Sequence, residues 1–462
     1  MERLSALDAQ FLHLEDDLSH MHIAGVCVFD NPPPTYDELV ALIASKLHEI
    51  PRYRQRVRTV PLDLGRPVYA DDPHFDIEYH VRHTALPAPG SDSEFYRLMG
   101  RLMSSQLDRK RPLWEVWLVE GLEDDKWALV LKVHHCLVDG IAGVQLLTVL
   151  LDLSPDSPVG EPQPWSPQPE PSGTAKVLDA WSGLAQEALG SSKQLLSSAR
   201  DPRRAASVAT GTAKGIGRFL GSLSLTPETS TEGSIGPHRS WANSTASLSD
   251  VKLIGKTFGG TVNDVVLAAV TGGWRRLLES RGEDPQNATV RSLIPVSTRG
   301  TDGSGVPDNR VSAMLYDLPV HEPDTIGRLN LVREQMSEHK SSGMIEAGEV
   351  VTTLGNLAPP MVVSTVSRAA IHLMQRTPQR SVGTITTNVP GPQFPLYCLG
   401  REMIEYRPFV PIIHGIRVAT AILSYNGKMY FGVTGDYSSA PDVEVLASGI
   451  VEELDELRGL AK

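Results

Sequence analysis

The sequence predicts an α/β protein built as two similar domains joined by a crossover linker. Three observations lead there. Strand-like and helix-like segments alternate in two regions of the chain. Between them, residues 155–171 carry seven prolines in 17 positions, a run that forms neither a helix nor a central strand. The chain has 462 residues, more than one hydrophobic core usually organises. The expected division is a first domain over 1–154, a linker with an amphipathic helix over 155–237, and a second domain over 238–462.

In the first region "HIAGVCVFD" reads as a strand. "TYDELVALIASKLHEI" reads as a helix, with Thr35 and Glu38 at capping-box spacing. "SEFYRLMGRLMSSQL" is a second helix and "KWALVLKVHH" an apolar strand. "GIAGVQLLTVLLDL" is a helix with Ile141, Val144, Leu147 and Leu151 on one face, so His134 and His135 end a strand and Gly140 opens a helix. Beyond the prolines, Val177, Trp181, Leu184 and Ala188 share a helical face. It is read as packing on the protein's own body, with a membrane-surface contact as the alternative. From about residue 240, "GTVNDVVLAAVTGGWRRLLESRG" reads as a helix and "VRSLIPVSTRG" as a strand ending in a polar turn. "ATAILSYNGKMYFGVTGDY" reads as a hairpin turning at Asn426-Gly427.

The composition, 41% hydrophobic and 21% charged, is that of a globular protein, and the net charge of −12 argues against nucleic acid as a partner. Cys27, Cys136 and Cys398 form no paired motif, which points to a reducing, cytoplasmic setting. The N-terminus shows no signal peptide. The uncharged run Val350 to Ser367 contains Asn356 and Pro359-Pro360 and reads as helix and loop rather than a membrane span. Contact with a membrane would be peripheral.

The chemistry centres on "HHCLVDG", His134 to Gly140. Neutral imidazole is well suited to take a proton near pH 7. The motif supplies one at a sheet edge, with the carboxylate of Asp139 and a glycine for a tight turn. Adjacent histidines on an extended segment point to opposite sides and no Cys or acidic partner stands at ligand spacing, so no metal is expected. GxSxG, the mark of a serine hydrolase, is absent. On this motif alone, two structural histidines capping a strand and a catalytic base remain equal readings.

HHxxxDG resembles the signature of CoA-dependent acyltransferases of the chloramphenicol acetyltransferase type and of peptide-synthetase condensation domains. Further stretches resemble the bacterial wax ester synthase/diacylglycerol acyltransferase family, most of all its actinobacterial triacylglycerol synthases. These are "LDAQFLHLE", "LDRKRPLWEVWLVEGL", "TVNDVVLAAV", "LIPVSTR" and "TNVPGPQFPLYCLG". They run in order along nearly the whole chain and are least informative over 155–237. The DFGWG motif of plant relatives and other branches is absent, which counts against an alcohol acyltransferase of the plant type.

The resemblance implies two chloramphenicol-acetyltransferase-like domains with the active site in the channel between them. It implies transfer of a long-chain acyl group from acyl-CoA, as co-substrate, to diacylglycerol. No permanently bound cofactor and no metal are implied. His135 would be the general base and His134 its support, Asp139 would pair with an arginine, and Gly140 would make the turn. Pro112, Leu113 and Trp114 read as packing or channel lining, and Asn388 to Pro392 as a rigid turn shaping a channel. Asn263 and Asp264 read equally as a direct part of the site or as a helix start, with Thr261 as N-cap. Arg299 would meet Asp139 or a phosphate, a backbone N–H or the hydroxyl of Thr386 or Thr387 would donate to the oxyanion, and Cys136 would be a small buried residue. The expected setting is the inner membrane or a lipid-droplet surface, held peripherally. The rivals are a wax ester synthase using long-chain alcohols, an acyl donor carried on a protein, and a non-catalytic lipid-binding or droplet-coating relative.

Overall fold

A computed structural model of the chain describes residues 2–30, 32–137, 147, 149–182, 227, 229–297, 311–341 and 380–461. The described part is organised around two six-stranded sheets. The expected α/β class holds.

The first sheet runs in the order Tyr397–Cys398, Arg401–Phe409, His22–Phe29, Lys126–His134, Trp114–Leu122, Val81–Ala85. At its centre, Lys126–His134 is buried at eight of nine positions. Its alternation sorts side chains between two cores. Trp127, Leu129, Leu131 and Val133 enter one, where Trp127 stacks on Phe29 at 4.3 Å. Ala128 and Val130 enter the other, beneath the helix Asp92–Ser104. Lys132 continues that second face. Its ammonium is buried and donates to the carbonyl of Leu102 at 2.8 Å, near the C-terminal end of that helix, where bare carbonyls favour a cation. Ser91 and Glu94 form a capping box at the other end, which sets the helix one residue earlier than the sequence suggests.

The second sheet runs Val311–Leu318, Val290–Ser297, Thr384–Pro390, Val418–Tyr425, Lys428–Asp436, Arg239–Ser247. Helices Leu248–Phe258, Val262–Ser280, Thr325–Ser341 and Val443–Leu460 cover one face of it. The hairpin turns at Asn426 and Gly427, both at positive φ (42° and 82°), as a two-residue turn between strands of right-handed twist requires. Capping boxes occur at Thr35/Glu38 and Thr261/Asp264, where the sequence places them.

The two halves share chain. Arg401–Phe409 comes from late in the sequence yet pairs antiparallel with His22–Phe29 in the first sheet. Gly432 of the second sheet lies so close to the backbone carbonyl of Pro408 that a Cβ there would stand 1.8 Å from it. Tyr96 Oη donates to the Asn243 carbonyl at 3.1 Å, and His414 Nε2 lies 3.2 Å from Asp16 Oδ2, both across the same junction.

The proline-rich segment forms no regular element and lies on the first half. Glu170 meets Arg56, Arg58 and Lys176, and the Gln168 N–H donates to Asp71. A helix follows over 173–182, with Ala180 buried and Leu178 and Trp181 exposed. Its expected continuation from 183, most of the expected helix after Gly140, the polar turn after Ser297 and the run Val350 to Ser367 lie outside the described residues. Among the described residues no single helix is long and apolar enough to cross a membrane.

Candidate active site

The histidine pair sits where the central strand of the first sheet ends. Both peptides are pinned by neighbouring strands. The His134 N–H donates to the Leu113 carbonyl at 3.0 Å, and the His135 N–H to the Met21 carbonyl at 2.8 Å. The chain then leaves the sheet in a single 3-10 turn, His135–Leu137. The two rings therefore diverge.

The His134 ring is buried. Its Nδ1 accepts the Cys136 N–H at 3.0 Å, and its Nε2 lies 3.5 Å from Glu15 Oε2. The His135 ring is half-buried and packs against Phe11, centroids 3.9 Å apart. Its Nδ1 is covered without a hydrogen-bond partner among the described residues. Burial pushes the His135 pKa down to about 4, with a smaller push from His134, against an opposing backbone hydrogen bond. At neutral pH the ring is an uncharged base.

Glu15 is the residue that reading the sequence missed. Its side chain is 4% exposed, beside His134 and His22. Oε2 accepts from Arg109 Nε and Nη2 at 2.8 and 2.5 Å. Oε1 lies 3.2 Å from His22 Nε2. Burial alone would raise this carboxyl's pKa. The neighbouring His134 and His22 rings and the bidentate Arg109 guanidinium outweigh it, and hold the group ionised far below the usual carboxylate range. His22 Nε2 also accepts the Leu107 N–H at 3.4 Å. Burial holds the His22 pKa down to about 3, so His22 is neutral and Arg109 is the countercharge. The signal was present in "LDAQFLHLE", where Phe11 and Glu15 stand one helical turn apart. No local pattern says what that face meets.

The other expected residues divide into groups. Trp114 is 1% exposed, donates from Nε1 to the Tyr53 carbonyl at 2.7 Å, and stacks on His80 at 4.5 Å. With Leu113 holding His134, the Pro112–Trp114 segment braces the strand end. In the second half, Asn263 and Asn388 meet, Nδ2 of Asn388 standing 3.4 Å from Oδ1 of Asn263. Asp264 Oδ2 accepts from the Thr261 N–H and hydroxyl, both at 2.8 Å. Thr386 is buried and accepts from the Ser292 hydroxyl at 2.9 Å, while Thr387 points from the opposite face of its strand and is only half-buried. None of the described contacts joins Asn263, Asn388 or Thr387 to His135. Asp139, Gly140 and Arg299 lie outside the described residues. Cys136 is buried, and burial raises its thiol pKa well above the ordinary value, which leaves it no nucleophile. Among the described residues no group of three or more His, Cys, Asp or Glu side chains is arranged to hold a metal ion.

Residues 4–266 match the wax ester synthase/diacylglycerol acyltransferase catalytic domain, and residues 308–458 match the WS/DGAT C-terminal domain. The chain belongs to the wax ester synthase/diacylglycerol acyltransferase family. A probable diacylglycerol O-acyltransferase of Mycobacterium tuberculosis, tgs1, is 36% identical over 466 residues, covering 100% of this chain and 97% of that protein. Among solved structures, the wax ester synthase/diacylglycerol acyltransferase of Marinobacter aquaeolei VT8 is similar with a TM-score of 0.68 and 26% identity, over 99% of each chain. The first condensation domain of the CDA synthetase shares the fold, with a TM-score of 0.55 at 16% identity over 98% of this chain and 94% of that one. Membership of the wax ester synthase/diacylglycerol acyltransferase family makes this chain an acyltransferase, with the two-sheet architecture of that fold.

Proposed function

We propose that the chain is a diacylglycerol O-acyltransferase that moves a long-chain acyl group from acyl-CoA to the free hydroxyl of diacylglycerol. The products are triacylglycerol and CoA. The observation that carries the reading is the state of His135: uncharged at neutral pH and covered at Nδ1, at the end of a braced strand, which leaves Nε2 as the nitrogen to act as base.

His135 Nε2 takes the acceptor's hydroxyl proton as the oxygen attacks the thioester carbon. The tetrahedral intermediate collapses, the C–S bond breaks, and the departing thiolate recovers the proton from the imidazolium. Base help of this kind contributes about 10²–10⁴-fold. The oxyanion needs a donor. Thr387 suits that role better than Thr386, whose hydroxyl already meets Ser292. Asp139 and Gly140 hold the turn, and Asn263 and Asn388 shape the channel from the second half. A long-chain alcohol as acceptor, giving a wax ester, is the second reading, since the Marinobacter neighbour's name carries both activities.

His135→Ala should lower transfer of labelled palmitoyl-CoA to diolein by at least about 10²-fold with an unchanged fold. Near-normal transfer by the purified variant would sink the assignment. Competing diolein and hexadecanol in one assay reads acceptor preference.

Peripheral attachment to a lipid surface belongs to the same proposal. Leu62, Leu178 and Trp181 are 82%, 71% and 62% exposed. They stand on adjoining segments, since Gly65 packs against Ala180 and Gly173 against Pro61. Exposed leucine and tryptophan on one face suit an interface between water and lipid. Leu178→Ser with Trp181→Ser should weaken flotation with anionic liposomes, and unchanged flotation would move the contact elsewhere.

A further inference from the structure

We propose that Glu15 is a positioning residue for the reaction, acting on His135 through His134. The inference rests on His135 being the base, and it explains why the motif has two histidines.

The ring of His134 has two hydrogen-bonding duties of opposite sign. Nδ1 accepts the Cys136 N–H, so it carries no proton. The proton of a neutral ring then sits on Nε2, which lies buried 3.5 Å from Glu15 Oε2. A carboxylate charge at that distance favours the proton on Nε2 and so sets the tautomer, as partners of the second ring nitrogen do in other histidine sites. The N–H that His134 holds belongs to the peptide between His135 and Cys136. That peptide is the start of the turn from which His135 aims Nε2. The path is thus Glu15 to the His134 ring, to that peptide, to the direction of the base.

Removing the carboxylate frees the other tautomer. A proton on Nδ1 would face the Cys136 N–H donor to donor, and the turn would have to shift. Misplacing a base by a fraction of an ångström is enough to slow proton transfer. Glu15 is itself held against movement. Arg109 grips Oε2 with two N–H groups and donates a further hydrogen bond to the Leu12 carbonyl at 2.9 Å, while His22 meets Oε1. Phe11, on the helix that Glu15 caps, packs on His135. One short helix and its C-cap therefore contact both histidines, one through charge and one through an aromatic face.

The test is a double-mutant cycle on the full-length enzyme with acyl-CoA and diolein. Glu15→Gln keeps the shape and removes the charge. It should lower kcat by about ten- to a hundredfold, with KM for acyl-CoA changed by less than about twofold. In a His134→Ala background, where the transmitting ring is gone, Glu15→Gln should cause no further loss. The same loss in both backgrounds, or none in the wild-type background, overturns the proposal. His135→Ala, assayed alongside, reports separately on the base: activity surviving that change removes the underlying reading whatever the Glu15 variants do. Should Glu15→Gln fail to fold, nitrogen NMR of the wild-type His134 ring still decides. A proton on Nε2 is expected, and a proton on Nδ1 overturns the assignment.

Discussion

The phenyl ring of Phe11 lies 3.9 Å, centroid to centroid, from the imidazole of His135, tilted by 31°. This contact keeps water from one face of the ring, and burial is the largest cause of its low pKa, about 4. Phe11→Ala should let the pKa climb toward the ordinary 6.5. The acid limb of the kcat/KM profile should rise with it, while the rate on the alkaline side of the limb changes less. An acid limb that stays where the wild type has it would show that Phe11 does not set the base's protonation.

Acid should also destabilise the fold. His135 and His22 titrate at about 4 and about 3 when folded, and burial lowers His20 and His80 in the same direction. In the unfolded chain each returns to about 6.5, so in that window the unfolded state binds more protons. Stability then rises with pH through the window and is lost as pH falls from about 6.5 toward 4. Each such proton is worth about 1.4 kcal/mol per pH unit. Melting temperatures from about pH 7 to pH 4.5 should decline steadily, and a flat profile would contradict the neutral burial of these rings.

A second buried carboxylate stabilises the other half. Glu453 is 0% exposed and accepts from Arg328 Nε and Nη2 at 2.6–2.9 Å and from Arg276 at 2.8 Å, joining three helices. Arg328→Met should cost about 3 kcal/mol, because it leaves a buried charge half-paired. Arg328→Met with Glu453→Leu should recover most of that loss. Denaturant midpoints measure both, and a double variant weaker than the single one would refute the argument.

Asp264 separates capping from chemistry. Both described hydrogen bonds of its carboxylate come from Thr261 at the helix start. Asp264→Ala should therefore lower stability by about 1 kcal/mol. Asp264→Asn, which keeps an acceptor, should retain most of the stability and of the acyl transfer. A stable but inactive Asp264→Asn would return the carboxylate to the chemistry.

Much of the framework was legible because its causes are local. The capping boxes at Thr35 and Thr261, the turn at Asn426-Gly427 and the burial of Lys126–His134 each follow from spacings of a few residues. The proline-rich break was equally plain, although its docking on Arg56, Arg58 and Asp71 was not. The histidine pair was visible, and the ordered series of family stretches weighted it toward a base.

What only the tertiary structure decided depends on groups that meet from far along the chain. Arg401–Phe409 completes the first sheet because its hydrogen-bonding edge finds His22–Phe29, which no periodicity within the strand records. Asn263 meets Asn388 across the second half. Glu15 reaches His134 because a helix, two strands and the approach to Trp114 converge on one dry pocket, where a carboxylate must find donors. By itself the sequence determined which residue types were present to do chemistry and which elements they end. The folded chain decided their division of labour, because the direction of an imidazole is set by the partner of its other nitrogen, and here that partner lies in another part of the sequence.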